Sequence, residues 1–192
     1  MFESHVTIES IQDNDFLEIC KKIDAKPVII ENDSGSDTRQ LMTAKFHKTP
    51  HQYEALYQMH KIADVFSGNV IRRKLEKIIG KYSAIPKHEY LEFHSKYEIV
   101  IDQIELFRDI VERNNGHTAR NILKDSDNPN SVFYFATTRT HENFKILTKA
   151  LNRFKRLNSL MECVVYDDNP NVDSNWGCLE CGFKSLRDDF KW

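Results

Sequence analysis

Phe2-Glu3-Ser4-His5-Val6-Thr7-Ile8, laid over Leu91-Glu92-Phe93-His94-Ser95-Lys96-Tyr97, repeats Glu-x-His at an offset of 94 − 5 = 89. A second pair, Leu41-Met42-Thr43-Ala44-Lys45-Phe46-His47 over Phe135-Ala136-Thr137-Thr138-Arg139-Thr140-His141, aligns at 137 − 43 = 94. Thr49 and Thr140, Tyr53 and Phe144, and Leu56 and Leu147 each lie 91 apart. A near-constant offset over several elements reads as an internal duplication, and it decides the fold before any single motif does.

Within the first copy, residues 2–9 alternate, with Phe2, Ser4, Val6 and Ile8 on one face and Glu3, His5, Thr7 and Glu9 on the other, as in a half-buried strand. Asp13-Asn14-Asp15 opens a helix striped by Phe16, Ile19, Cys20 and Ile23. Strands follow at 26–30 and 40–46, around a turn at 33–37. Thr49-Pro50-His51-Gln52 reads as a helix start, and a closing strand runs from Val70 to Ile79. The order is β-α-β-β-α-β, and residues 91–166 repeat it. The expected fold is therefore α+β: a tandem duplication of a ferredoxin-like unit, with two antiparallel four-stranded sheets standing apart, joined, or closed into a barrel-like cleft. The expected lobes are 1–80 and 90–167, with a linker at 81–89 and a tail at 168–192.

The chain has 192 residues, 40% hydrophobic, which is enough for a real core. Its net charge of −2 lacks the basic excess of a general nucleic-acid binder. No apolar run of membrane-spanning length exists, and the N-terminus lacks the pattern of a secretory signal. With four scattered cysteines, these features lead to the expectation of a cytoplasmic protein with free thiols.

In such a lobe the helices cover one sheet face, so the polar strand residues fall on the other. These are Glu3, His5 and Thr7; Thr43 and Lys45; Arg72, Lys74 and Glu76; Glu92, His94 and Lys96; and Thr137 and Arg139. Solvent-facing strand positions are ordinarily charged, and cross-strand Lys/Glu pairs are common. If the two sheets face each other, however, the same groups line a cleft. Thr7, Lys45, Arg72, Lys74, Lys96 and Arg139 would then hold an anion. Glu3, Glu76 and Glu92 would hold Mg²⁺ or Mn²⁺, and His5 and His94, with Glu3 and Glu92, would do proton transfer.

Two resemblances arise at these residues. Glu92-x-His94-x-Lys96 and Arg72-x-Lys74-x-Glu76 resemble the strands of the triphosphate-tunnel (CYTH-like) phosphohydrolases, with His94 where that family has Glu. His5-Val6-Thr7 resembles the His-x-Thr/Ser motif carried once per lobe by the two-histidine (2H) phosphoesterases; Lys96 stands where the second hydroxyl would be. Both resemblances imply a phosphorylated ligand, nucleotide or polyphosphate-like, held between the lobes and hydrolysed there if the histidines catalyse. The alternative is a non-catalytic regulatory or protein-interaction module using the free sheet faces, which would also serve a homodimer. Cys178-Leu179-Glu180-Cys181 is half a zinc ribbon without its other ligands; it reads as a reduced tail and carries no site.

Overall fold

The computed structural model describes residues 1–32, 39–79, 90–169 and 172. The expected linker at 81–89, the turn at 33–37 and the Cys178/Cys181 pair lie outside the described residues. Eight strands and four helices follow the expected order: β1 (Phe2–Ile8), α1 (Asp13–Lys22), β2 (Lys26–Asn32), β3 (Arg39–His47), α2 (Gln52–Val65) and β4 (Val70–Ile78). Then come β5 (Tyr90–Val100), a 3₁₀ turn (Ile101–Gln103), α3 (Ile104–Arg113), β6 (His117–Asn121), β7 (Ser131–Thr138), α4 (His141–Ala150) and β8 (Lys155–Asp167).

The strands form one closed antiparallel barrel in the order β1-β3-β2-β6-β7-β5-β8-β4. Two separate four-stranded sheets are not what forms. β2 pairs with β6 and β4 pairs with β8, so each half closes the other's edges. Closure removes the exposed edges that an interaction module would offer a partner strand.

Alternation along each strand sorts the side chains into two layers. On β1, Phe2, Val6 and Ile8 point outward and join Phe16 and Cys20 of α1 and Ala55, Met59, Ile62 and Ala63 of α2 in a buried cluster. A second cluster under α3 and α4 gathers Tyr97, Ile99, Phe107, Val111, Tyr134 and Leu147. Glu3, His5 and Thr7 consequently face the barrel axis. Helix starts differ from one half to the other. Thr140 caps α4 by accepting from the Asn143 amide at 3.0 Å. In the stretch read as the start of α2, Thr49 is not the cap: it donates its hydroxyl to the Glu54 carboxylate, and the helix begins at Gln52. Among the described residues no helix is long and apolar enough to cross a membrane.

The register corrects the sequence alignment by one residue. His5 stands opposite Ala44 and His94 opposite Thr137, so β3 and β7 superpose at 137 − 44 = 93, not 94. A one-residue slip moves every side chain to the other face. Thr43 and Lys45 therefore lie on the helix side, opposite Val6 and Ser4. The Lys45 ammonium is spent on the end of α1, donating to the Ile23 and Asp24 carbonyls at 3.2 and 2.6 Å. Lys45 is not a lining residue.

Candidate functional site

The polar core of the barrel is built from equivalent strand positions in the two halves. Glu3 faces Glu76 and His5 faces Lys74 across β1 and β4; Glu92 faces Glu162 and His94 faces Leu160 across β5 and β8. The pattern Glu-x-His with an opposing Glu thus occurs twice. The difference is Lys74 in one half and Leu160 in the other. Because β4 and β8 are themselves neighbours, both sets share one interior.

Within it, His5 Nε2 lies 2.7 Å from Glu76 Oε2. Lys74 Nζ lies 2.7 Å from Glu76 Oε1 and 2.9 Å from Glu92 Oε2. His94 Nε2 is 3.3 Å from Glu92 and 3.4 Å from Glu162, and its Nδ1 is 2.9 Å from the Thr137 hydroxyl. Arg139 lies 3.4 Å from Glu92 Oε1 and over the Tyr90 ring at 4.7 Å. Glu3, Lys74, Glu76, Glu92 and Glu162 are all buried. Buried atoms of this cluster with no hydrogen-bond partner among the described residues include His5 Nδ1, Glu162 Oε1 and Glu76 Oε1, the last in ion-pair contact with Lys74.

Burial and neighbouring charge pull the titrating groups apart. Burial pushes the His5 ring toward the neutral form, but the Glu76 and Glu3 charges outweigh it, and its pKa is raised. His94 is raised likewise, burial being outweighed by the hydrogen bond and charge of Glu92 and by Glu76 and Glu162. Burial disfavours the Glu76 carboxylate, yet Lys74 and His5 hold it down to about 2. Glu92 is held well below the ordinary carboxylate range by Lys74, His94 and Arg139 against its own burial. Glu162 goes the other way: burial and the Glu76 charge push it up to about 7.

Seven of the sequence candidates are gathered here: Glu3, His5, Lys74, Glu76, Glu92, His94 and Arg139. Arg72 and Thr7 face the axis too, but towards one end of the barrel. Arg72 is fixed there by Asp167, with Nε 3.0 Å from Oδ1 and Nη2 2.6 Å from Oδ2. Lys96 lies towards the other end, its Nζ 3.6 Å from the centre of the Phe133 ring. Glu162, Asp167 and Tyr90 were missed. For Glu162 the signal was present, as one carboxylate inside the run Leu160-Met161-Glu162-Cys163-Val164-Val165, where an apolar stretch implies a buried charge.

No family model matches the chain. No curated protein matches it either. Among solved structures it is similar to an anthrone oxidase-like protein at 10% identity, with 86% of this chain and 92% of that one covered and a TM-score of 0.31. It is similar to a heme-binding protein from Thermus thermophilus at 8% identity, 86% and 91% coverage and a TM-score of 0.30. The siroheme decarboxylase NirDL follows at 8% identity, 86% and 72% coverage and a TM-score of 0.30. None of the three is a triphosphate-tunnel phosphohydrolase or a 2H phosphoesterase, and both resemblances are corrected on that ground. At these scores the likeness assigns no function.

The expectation of a bound and hydrolysed phosphate ester falls with those resemblances, and the geometry supplies a physical reason. Arg72, Lys74 and Arg139 already face carboxylates, and Lys45 and Lys96 are directed elsewhere. An incoming polyanion would have to break buried ion pairs. The free-sheet module loses most of its surface as well, since helices cover much of the outer sheet face and the other face is the barrel interior, although residues 155–160 of β8 stay exposed.

Proposed function

We propose that the protein holds a divalent first-row transition-metal ion inside its barrel, on Glu76, Glu92 and His94 with Glu162 completing the set. The carrying observation is that one donor atom from each of Glu76, Glu92 and His94 lies within 4.8 Å of the others, in a buried setting. Beside them Glu162 offers a buried carboxylate oxygen with no partner among the described residues. Charge supports the same reading. Glu3, Glu76, Glu92 and Glu162 bring four negative charges against the two permanent positive charges of Lys74 and Arg139. The formal deficit of 4 − 2 = 2 is what one dication would supply. Without it, protons on His5, His94 and Glu162 must compensate, and all three pKa values are raised. An imidazole in the ligand set favours manganese, iron or zinc over magnesium. His94 stays a quarter exposed, which leaves a route from solvent to the ion.

The chain is best read as a tandem duplication of a ferredoxin-like unit, with halves 1–80 and 90–167. The matching strand orders β4-β1-β3-β2 and β8-β5-β7-β6 support this. Cys20, buried and without a disulfide, suits a reducing, cytoplasmic setting.

Calorimetric titration with manganese(II), zinc(II) and magnesium(II) tests the metal reading. Manganese or zinc should bind saturably at a single site, and magnesium more weakly. Glu92→Gln, which keeps the shape and removes one charged donor, should weaken binding by about 100-fold, the upper range for lesions around metal sites. Undetectable binding of all three ions to folded wild-type protein would refute the reading.

A further inference from the structure

Lys74 breaks the symmetry of the barrel interior. Its position opposite His5 corresponds to Leu160 opposite His94, so a single ammonium serves two half-sites. That ammonium bridges two of the three carboxylates around the candidate metal position, at 2.7 Å to Glu76 and 2.9 Å to Glu92. It is itself buried. The third carboxylate, Glu162, receives nothing from it and keeps an oxygen without a partner among the described residues.

With Lys74 between Glu76 and Glu92, the donor set stands wider than a bound ion would hold it, although His94 Nε2 is already 3.3 Å from Glu92. Metal–oxygen bonds of about 2.1 Å place adjacent ligands about 3 Å apart. The donor atoms of Glu76, Glu92 and His94 spread over as much as 4.8 Å. They must close in for a metal to bind, and Lys74 Nζ occupies the space into which they would close. A lysine ammonium is a compact point charge on a flexible four-carbon stem, so it can leave without moving its strand.

Resting on the metal reading, we propose that Lys74 is a built-in competitor: it holds Glu76 and Glu92 apart in the metal-free barrel and must be displaced before a dication binds. The apparent affinity then equals the intrinsic affinity scaled by the fraction of molecules in which Lys74 has swung away. In the metal-free protein the same contact keeps two buried carboxylates from standing unpaired.

The test is manganese(II) titration of wild type, Lys74→Met and Lys74→Arg, each checked for folding by circular dichroism. Lys74→Met should bind about tenfold tighter or more, the gain expected if the displaced state is populated at a tenth or less. Lys74→Arg keeps the charge, but its planar fork grips carboxylates more firmly. It should bind more weakly than wild type, whereas a simple effect of net charge would leave it unchanged. Equal or weaker binding by Lys74→Met, with wild-type affinity in Lys74→Arg, would overturn the competitor role and leave the metal site standing. If Lys74→Met does not fold, Lys74→Arg decides alone: weaker binding supports the role, and equal or tighter binding overturns it. If neither wild type nor a folded variant binds manganese, the metal reading fails and this role fails with it.

Discussion

Asp167→Ala should destabilise the protein by about 3–5 kcal/mol, the usual cost of breaking a buried ion pair by removing one partner. Arg72 is only 3% exposed and gives Asp167 both Nε and Nη2. The Tyr90 hydroxyl donates to the same carboxylate at 2.9 Å. Truncation takes the acceptor from Arg72, from Tyr90 and from the Asn169 amide, which donates to Oδ1 at 3.1 Å, at a place water hardly reaches. Against a typical total of about 5–15 kcal/mol, such a loss is close to unfolding at 37 °C. Thermal or urea unfolding measures it. The double variant Arg72→Met/Asp167→Leu should recover most of the loss, because the cost lies in the uncompensated charge. A single variant within about 1 kcal/mol of wild type would mean that the pair does not close this end of the barrel.

The second large effect is a dependence of stability on pH whose sign metal reverses. The Glu162 pKa moves from 4.5 to about 7, so the folded state keeps a proton that the unfolded chain releases. That contribution is complete below pH 4.5 and fades as pH rises to about 7. His5 and His94, both raised above 6.5, act in the same sense: they stabilise below 6.5 and lose that contribution as pH rises through their folded values. Glu76, lowered from 4.5 to about 2, opposes them only in acid, stabilising above 4.5 and losing its effect as pH falls towards 2. The metal-free protein should therefore be most stable near pH 5 and weaker at pH 8. Glu162 alone accounts for about 3 kcal/mol of that difference, at 1.36 kcal/mol per pH unit. A metal ion needs the deprotonated ligands, so in saturating manganese or zinc stability should instead rise from pH 5 to pH 8. Chemical denaturation at both pH values, with and without the ion, gives all four numbers. A metal-free protein more stable at pH 8 than at pH 5 would contradict the charge deficit in the barrel.

The order of elements was legible because periodicity survives duplication: Phe2, Val6 and Ile8 alternate with Glu3, His5 and Thr7, and Glu92 and His94 repeat the outline. Closure was not legible, since nothing along β2 or β4 announces that β6 and β8 will take their edges. The site was half legible. On β1, β4 and β5 the inward residues follow directly from alternation. On β3 the comparison with β7 slipped by one residue, and that slip brought Lys45 to the wrong face. Gaps between elements absorb single-residue differences that the eye carries forward as a constant offset, whereas hydrogen-bonded register does not. Glu162 is easily overlooked because an apolar run such as Leu160 to Val165 has the pattern of an ordinary core strand. Its meaning lay in the one charge that did not fit.

The most direct test of the metal reading is anomalous diffraction from crystals grown with manganese(II). The account predicts an anomalous peak inside the barrel within bonding distance, about 2.2 Å, of Glu76, Glu92 and His94. Lys74 Nζ should then have left the position it holds at 2.7 Å from Glu76. Peaks confined to the outer surface, with Lys74 still between Glu76 and Glu92, would contradict it.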